Sequence, residues 1–537
     1  MAWNKKVLRV NLTKEICREE SLNMEWAEQY IGQRGLASKY LSEEMDPAAD
    51  PLSPENILIF ATGPLTGTSA ATGGRYSVIT KGPLTNAIAC SNSGGYWGGE
   101  LRMAGWDMIV ITGRAKSPLY LHIHDSKAQL LGASNFIWRQ SVWDTERKIK
   151  ERHQDPRIRI ASIGRAGENM VRYACIMNDL DRAAGRSGVG AVMGSKNLKA
   201  IAVRGTLGVK VAHPDTFDRA VTEARNKLDP SSDRAGLAKY GTISMLDITQ
   251  AFGSLPTRNN RDVQFQGANK LGASAMTTRR RSDGQSNLVN NKACFSCTIG
   301  CGRVAKIDPE HFSVTSKDQY KNASGGLEYE SVYALGPMVG VEDIDAATYA
   351  NFICNEQGMD PISFGVTLAA AMELYEVGSV NIMDTKGLEL KFGSAESLVK
   401  AVELTGVGKD FGLDLGLGSK LLCNKYGRDD LAMVAKGQEF PGYDGRSMQG
   451  MALAYATSNR GACHLRADPY GDDFDGGPIT GKAKIVYESQ NSTAAVDSSG
   501  LCLFPMSVWN LHDVASQLEG ACGGTWNEER LIEIGER

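Results

Sequence analysis

Four cysteines stand at positions where they could hold an iron–sulfur cluster. Cys294, Cys297 and Cys301 occur together in the run C-F-S-C-T-I-G-C, and Cys502 follows much later in D-S-S-G-L-C. A four-iron cluster needs one thiolate for each iron, and ligands drawn from two parts of a chain suit it. The pattern predicts an electron-transfer protein whose substrate must be inferred from other residues.

Zinc is the alternative occupant of this cysteine set. Structural zinc sites usually combine two local pairs of ligands, whereas here the fourth cysteine is remote and single. The chain has 11 cysteines, an odd number, which favours reduced thiols in a cytoplasmic protein over a disulfide framework. Six of the others are expected to pack as small apolar residues: Cys17, Cys90, Cys175, Cys354, Cys423 and Cys522.

Composition excludes several classes of protein. The net charge of -3 argues against a nucleic-acid-binding surface. No apolar run is long enough to cross a membrane, and the opening M-A-W-N-K-K-V-L lacks a signal-peptide core, so we expect a cytoplasmic protein. The 59 glycines, many of them in the first two hundred positions, indicate backbone that approaches a large ligand.

Hydrophobic patterning predicts an α+β, multidomain fold with a β-rich part followed by helical parts. Short β-branched runs predict strands at 7–12, 57–60, 76–79, 108–111, 119–123 and 200–203. Helical spacing predicts helices at 24–40, 142–153, 346–356, 361–377, 394–405 and 429–436. We therefore expect a β-rich domain at 1–206, a helical domain with the cysteine triplet at 207–412, and a helical domain with Cys502 at 413–537.

Three glycine-rich segments in the β-rich part each place an arginine or asparagine beside small residues. They are T-G-G-R-Y at 72–76, C-S-N-S-G-G at 90–95 and R-A-A-G-R-S-G-V-G at 182–190. Such loops let backbone N–H groups reach phosphate oxygens, and a guanidinium adds bidentate charge. None matches the phosphate loop of nucleotide hydrolases or the dinucleotide-binding pattern.

These segments, together with G-P-L-T-G at 63–67 and D-S-S-G-L-C, occur in the order typical of one family. Across essentially its whole length the chain resembles the aldehyde ferredoxin oxidoreductase family of tungsten enzymes. The resemblance implies an N-terminal β domain covered by two helical domains. It also implies tungsten between two pterin dithiolenes, a nearby [4Fe-4S] cluster, and Mg²⁺ bridging the two pterin phosphates. Relatives continue beyond the last residue of this chain, so we expect a shortened C-terminal domain.

The resemblance also assigns cofactor-binding residues. Arg75 would lie between a pterin and the cluster, and Asn92 and Ala183 would turn their carbonyl oxygens to Mg²⁺. The residues implied to hold pterin and phosphate are Asn92, Gly94, Arg182, Ala183, Gly185 and Arg186.

Two copies of a pterin-binding motif are implied as well. Asp497 and Leu501 belong to the copy that also delivers Cys502 to the cluster. The other copy reads N-E-Q-G-M-D, in which Asn355 replaces the first aspartate and Asp360 keeps the final one. Arg466 is expected to reach a pterin.

Two further segments match those that carry the family's active-site acid and base. G-L-E-Y-E-S places Glu330 next to Tyr329, and G-A-C-H-L-R contains His464. Aldehyde oxidation adds an oxygen from water, removes two electrons and releases protons, so one group must polarise the carbonyl and another must accept a proton. From the sequence we expect Glu330 to act as the base on water and His464 to donate a hydrogen bond to the carbonyl oxygen.

The leading hypothesis is a tungsten-dependent aldehyde oxidoreductase, with molybdenum as the alternative metal. Because no flavin or nicotinamide motif is found, electrons are expected to leave through the cluster to ferredoxin or to subunits with iron–sulfur or flavin centres, in an oligomer. One alternative is the tungsten subunit of a class II benzoyl-CoA reductase, which would need a protein thiolate on tungsten, and Cys463 is the candidate. Another is a non-catalytic electron-carrying subunit.

Overall fold

The computed structural model describes residues 2–537. In its N-terminal part, six strands form a sheet in the order β2-β1-β6-β3-β4-β5, in which only the β1–β6 pair is parallel. The strands are β1 (Lys6–Asn11), β2 (Ile16–Ser21), β3 (Leu58–Thr62), β4 (Tyr76–Lys81), β5 (Ile88–Ser93) and β6 (Met108–Thr112). β3 and β4 are buried along their whole length, because helices cover them.

A second six-stranded sheet has the order β11-β10-β9-β12-β7-β8. Its strands are β7 (Leu119–His124), β8 (Lys127–Gly132), β9 (Arg159–Ser162), β10 (Ile176–Asn178), β11 (Arg182–Ala184) and β12 (Leu198–Arg204). β5 ends the first sheet, β11 ends the second, and these two edge strands lie against each other. The seam between the sheets therefore brings Asn92 of β5 close to Ala183 of β11.

Helices pack around both sheets. In this part of the chain they are α1 (Met24–Tyr30), α2 (Gln33–Glu44), α3 (Trp97–Met103), α4 (Val142–His153), α5 (Arg165–Glu168) and α6 (Val189–Ser195). α2 packs on β3 and β4, and α3 packs on β12 of the other sheet. Trp97 of α3 is fully buried, and its indole nitrogen donates to the carbonyl of Ile201.

The middle of the chain is mainly helical. Its helices are α7 (Pro214–Leu228), α8 (Ser232–Tyr240), α9 (Met245–Phe252), α10 (Ala273–Thr277), α11 (Tyr329–Leu335), α12 (Ile344–Gln357), α13 (Pro361–Glu376), α14 (Ala395–Val407) and α15 (Gly412–Leu415). A small sheet joins β13 (Leu288–Lys292), β14 (Gly302–Ala305) and β15 (Ser324–Gly325). α13 is buried nearly all round, so it is the central helix of the largest hydrophobic core.

The last part contains α16 (Ser419–Lys425), β16 (Val434–Ala435), β17 (Gln438–Glu439), α17 (Gln449–Thr457), α18 (Tyr470–Phe474), α19 (Lys482–Ser499), α20 (Leu511–Cys522) and α21 (Glu528–Glu536). α20 packs against α7 and α19 packs against α2, so the end of the chain shares a core with residues near its start. Among residues 2–537, no helix is both long and apolar enough to span a bilayer.

Most of the predicted elements are confirmed, as is the fold class. All six predicted strands and the helix at 142–153 are present. The helix predicted at 24–40 is interrupted at Ile31 and Gly32, where Ile31 has a positive φ. The helix predicted at 429–436 is wrong: a short 3₁₀ turn at Asp429–Leu431 leads into β16. Lys436 and Gly437 both have positive φ and form the tight turn of a β16–β17 hairpin.

The loop at residues 63–75 is bonded to the turn that carries Cys502. Leu65 donates its backbone N–H to the carbonyl of Ser499 at 3.0 Å, and Arg75 donates its N–H to the carbonyl of Gly500 at 3.3 Å. Gly500 ends α19 with φ of 98°, a conformation that glycine adopts without strain. These bonds fix the position of Cys502 relative to the first sheet.

Gly63 tests this connection. A Cβ at Gly63 would overlap the backbone of Ser499 and Gly500, and neither side can yield without moving the turn. We expect Gly63→Ala to lower the thermal unfolding midpoint, with overpacking costing about 1–3 kcal/mol, and to reduce the iron bound per chain. Gly132→Ala is the matched control, because no atom lies within 4 Å of its Cβ. Equal iron content and equal midpoints in the two variants would contradict the close approach.

Candidate active site and thiol quartet

The structure brings the four predicted cluster cysteines into one neighbourhood. These residues, called the thiol quartet below, are Cys294, Cys297, Cys301 and Cys502. The guanidinium of Arg75 lies among them, with Nη2 donating to Sγ of Cys502 at 2.9 Å. Gly94 completes the enclosure, since a Cβ there would stand 2.9 Å from Sγ of Cys294. All four cysteines are partly exposed.

The four thiols lie near enough for their charges to act on one another. Burial is the main cause that raises the pKa of Cys297 and of Cys301, and the charges of Cys502 and Cys294 raise both further. Throughout residues 2–537, no three His, Cys, Asp or Glu side chains are close enough to bind one metal ion. A four-iron cluster attaches each thiolate to a different iron, so its ligands stand farther apart than those of a single ion.

A cavity of about 170 Å³ lies at the seam between the two sheets. Its walls come from β5, β11, the start of α13 and the loop that precedes α18. The lining residues are Ser91, Asn92, Ala183, Gly185, Arg186, Asp360, Ile362, Arg460, His464 and Leu465. Six of these were expected from the sequence to bind a cofactor or to act in catalysis, although they come from distant parts of the chain.

Buried arginines line this cavity, namely Arg186 and Arg460, and two more, Arg34 and Arg466, lie close to them. Burial, followed by the charge of Arg466, lowers the pKa of Arg34. Burial also lowers the pKa of Arg460, and the Arg466 charge acts in the same direction. The Nε atoms of Arg460 and Arg466 are buried without a hydrogen-bond partner. Because buried cations are stable only when compensated, the residues present fit an anionic, phosphorylated ligand.

Two carboxylates anchor part of this cationic shell. Arg466 donates Nη1 to Oδ2 of Asp497 at 3.0 Å, and Asn92 donates Nδ2 to Oδ1 of the same carboxylate at 3.3 Å. Asp360 caps the N-terminus of α13 and accepts from Nε of Arg186 at 3.2 Å. The two expected pterin-motif aspartates therefore both pair with arginines beside the cavity.

Arg186 lines the cavity and is at the same time bonded to the protein through its whole guanidinium. Besides Asp360, its guanidinium donates to the carbonyls of Ala462 at 2.8 Å and Glu439 at 2.7 Å. All three nitrogens are thus engaged by protein atoms. In the described structure this arginine ties the loop before α6 to the helical part and contributes charge to the cavity it lines.

Three other expected residues are not part of the cavity lining. Arg182 lies against the cysteine triplet: a Cβ at Gly302, directly after Cys301, would overlap its Nη2. Leu501 is fully buried in the core shared by the two ends of the chain. Asn355 lies in the last turn of α12 and is partly exposed.

Glu330 and His464, the expected acid–base residues, lie next to each other. Glu330, in the first turn of α11, accepts the N–H of Gly442 at Oε2 over 3.0 Å. Its Oε1 lies 3.7 Å from Nδ1 of His464, and both atoms are buried without a hydrogen-bond partner. Buried polar atoms are rarely left unpaired, so this gap marks a place for a bound ligand or water.

The protonation states of the pair follow from burial. Burial raises the pKa of Glu330 to about 8, so the carboxyl is mainly protonated at neutral pH. Burial, followed by the charge of Arg186, lowers the pKa of His464 well below its usual value. At neutral pH the site therefore holds a carboxylic acid beside a neutral imidazole.

Tyr329 does not line the cavity, but it contacts the peptide that holds Glu330. Its hydroxyl contacts the carbonyl of Gly442 and Oγ1 of Thr249, and the ring is buried. Because the N–H of Gly442 holds Glu330, the tyrosine fixes the peptide that orients the acid.

Cys463 does not line the cavity either. Its buried Sγ accepts from Nη2 of Arg460 at 2.7 Å and from the N–H of Leu465 at 3.3 Å. Burial would raise the pKa of this thiol, but the neighbouring arginines Arg460, Arg466 and Arg186 lower it to about 6. The thiolate thus compensates part of the arginine charge.

Sequence reasoning missed three contributors to the site. Arg460 lies only four positions before His464, so the motif around that histidine could have included it. Arg34 and Gly442 carry no local signal, because folding alone brings them to Asp497 and Glu330.

The fold and the site are those of a redox enzyme. Comparison with known proteins identifies its family. The model of the aldehyde ferredoxin oxidoreductase N-terminal domain matches residues 7–205, and the model of domains 2 and 3 of the same family matches residues 219–537. The chain belongs to the aldehyde ferredoxin oxidoreductase family and is an enzyme.

Several relatives are similar over nearly the whole chain. A tungsten-containing aldehyde ferredoxin oxidoreductase from Pyrococcus abyssi is 44% identical over 99% of this chain and 86% of its own length. The protein of that name from Thermococcus kodakarensis is 42% identical with the same coverage. The WOR-like subunit of an aliphatic sulfonate oxidoreductase from Pyrococcus furiosus is 30% identical over 76% of this chain and 65% of its own.

A solved structure shares the fold. The active-site complex BamBC of benzoyl coenzyme A reductase, bound to 1,5-dienoyl-CoA, has a TM-score of 0.83. The match covers 99% of this chain and 87% of that chain, at 23% sequence identity. Identity at this level shows the common fold alone.

The quartet predicts selective loss of iron. Replacing Cys502 by alanine removes one of four thiolates, so we expect less than the full complement of about four irons per chain. Cys17→Ser is the matched control, because Cys17 lies on the edge strand β2 and is also partly exposed. Iron and acid-labile sulfide are measured on anaerobically purified protein. Iron content that is equal in both variants would refute the quartet as the ligand set.

Proposed function

We propose that this enzyme is a tungsten-dependent oxidoreductase that oxidises aldehydes to carboxylic acids. The names of its relatives suggest the metal and the substrate class. The observation that carries the proposal is the unpaired Glu330–His464 couple, beside a cavity that the buried arginines make suitable for an anionic cofactor. The balanced reaction is aldehyde plus water giving carboxylic acid, two electrons and two protons.

The cofactor in this proposal is a tungsten bis-pterin. Asn92, Ala183 and Gly185 would accept its phosphates at the seam, with the carbonyls of Asn92 and Ala183 facing Mg²⁺, and Arg466 with Asp497 would hold a pterin edge. Phosphate charge would compensate the buried arginines. When bound, the tungsten pterin takes up the two electrons that leave the aldehyde.

Glu330 and His464 divide the proton chemistry. Protonated Glu330 donates from Oε1 to the carbonyl oxygen of the aldehyde, while the N–H of Gly442 holds Oε2 in place. Neutral His464 accepts a hydrogen bond from the water whose oxygen is added to the carbonyl carbon, and so orients that water. Burial keeps both groups in these states, and the arginine charges also keep the imidazole neutral.

This division is the reverse of the one expected from the sequence. Motif matching made Glu330 the base and His464 the donor. Burial lowers the acidity of the carboxyl and the basicity of the imidazole, and the arginine charges disfavour a protonated histidine further. A neutral carboxylic acid is the better hydrogen-bond donor in this setting.

Electrons would leave singly through a [4Fe-4S] cluster on the thiol quartet. The four cysteines are partly exposed, so a partner could approach the cluster closely. The proposed electron acceptor is ferredoxin or a subunit with iron–sulfur or flavin centres. We also propose that the protein forms an oligomer.

The alternative functions have less support. Ring reduction of the benzoyl-CoA type requires a thiolate at the metal, yet Sγ of Cys463 is held by Arg460 and Leu465 away from the cavity lining. Membership in a family of enzymes leaves the non-catalytic electron carrier without support.

Two substitutions at Glu330 distinguish a hydrogen-bond donor from a base. In Glu330→Gln the amide can accept from Gly442 and still donate into the gap beside His464, so we expect a loss of about tenfold in dye-linked aldehyde oxidation. In Glu330→Ala no donor remains, and the loss should reach about 10²–10³-fold. Both variants are assayed anaerobically with short aliphatic and aromatic aldehydes, at matched metal content. Equal, near-complete inactivation of both would restore the base assignment.

The pH dependence follows from the raised pKa of Glu330. The active, protonated form is present below pH 8 and is lost as the pH rises through about 8, so kcat should fall tenfold per unit above it. Glu330→Gln cannot ionise, and its alkaline limb should be flat up to the next titrating group. An alkaline fall that is identical in wild type and Glu330→Gln would assign the limb to another residue.

A further inference from the structure

We propose that the guanidinium of Arg182 raises the reduction potential of the cluster on the thiol quartet. The inference rests on the proposed function, because it requires the cluster. It adds to the role that motif matching gave to this arginine, and it concerns the electron exit, not the aldehyde site.

The position of the guanidinium carries the inference. Arg182 begins β11, and Ala183, the next residue, lines the cavity, but Arg182 itself does not. Its side chain runs the other way: a Cβ at Gly95 would stand 3.3 Å from its Cγ, and a Cβ at Gly302 would overlap its Nη2. Gly302 directly follows Cys301, so only a residue without a side chain leaves room for the guanidinium beside the triplet.

The charge of Arg182 is directed at thiols, and its guanidinium is incompletely hydrogen-bonded. Burial alone would lower its pKa, but the negative charges of Cys294, Asp181, Glu328 and Cys301 raise it, with Cys294 the largest of these. Nε of Arg182 is buried without a hydrogen-bond partner, and its distance from Oδ1 of Asp181 is 3.9 Å. Asp181 also forms an ion pair with Nζ of Lys292 at 2.9 Å, so its negative charge is shared between two cations.

A buried cation at this distance has a predictable effect. Reduction adds one electron to a cluster that already carries four thiolates, and a fixed positive charge nearby stabilises the added negative charge. Arg75 supplies one such charge through its hydrogen bond to Cys502. Arg182 supplies a second on the side of Cys294 and Cys301, so two arginines enclose the quartet from two parts of the first 200 residues.

Potentiometric titration with dithionite, followed by electron paramagnetic resonance of the reduced cluster, tests the inference. In Arg182→Gln we expect the equilibrium constant for cluster reduction to fall about tenfold, which for a one-electron couple is about 59 mV toward lower potential. Arg182→Lys keeps the charge and should remain near the wild-type potential. Arg147→Gln removes the same charge from an exposed, ion-paired position on α4 and should shift nothing.

Each other outcome is informative. Iron loss in Arg182→Gln with full iron and an unshifted potential in Arg182→Lys would also support a cluster role for the cation. Loss of tungsten with an unshifted cluster potential would assign Arg182 to the pterin phosphates and overturn the inference, as would equal potentials in wild type and Arg182→Gln. Absence of a cluster signal in the wild type would instead refute the proposed function.

Discussion

The structure depends on a junction between residues that are far apart in the chain. The loop at 63–75 is bonded through its backbone to the turn at 499–502, and Arg75 donates to Cys502 from within that loop. Without this junction Cys502 would have no fixed relation to Cys294, and the quartet would not form. The fold and the proposed electron path therefore depend on the same contacts.

Buried positive charge is the second constraint. The protein places Arg34, Arg186, Arg460 and Arg466 around one cavity, while Asp360, Asp497 and Cys463 supply only part of the balancing charge. The same arginines keep His464 neutral, and burial keeps Glu330 protonated. The proposed cofactor binding and acid–base chemistry thus depend on one electrostatic environment.

The sequence alone predicted much of this architecture because its signals are local. Strands in β-branched runs and the C-F-S-C-T-I-G-C motif are encoded by neighbouring residues, and the family resemblance supplied Glu330 and His464. The sequence does not show in which direction a side chain points. Arg182 and Arg186 lie in the same glycine-rich motif, yet the side chain of Arg182 packs against Gly302 and that of Arg186 pairs with Asp360. The hairpin at 434–439 was mistaken for a helix because its turn residues, Lys436 and Gly437, were outweighed by the apolar spacing before them.

The central claim is that the quartet and the seam between the sheets hold two different inorganic centres in one chain. Elemental analysis of anaerobically purified protein by mass spectrometry tests it most directly. The account predicts about four irons and about one tungsten for each chain. Zinc in place of iron, or full aldehyde oxidation by protein that contains neither tungsten nor molybdenum, would contradict it.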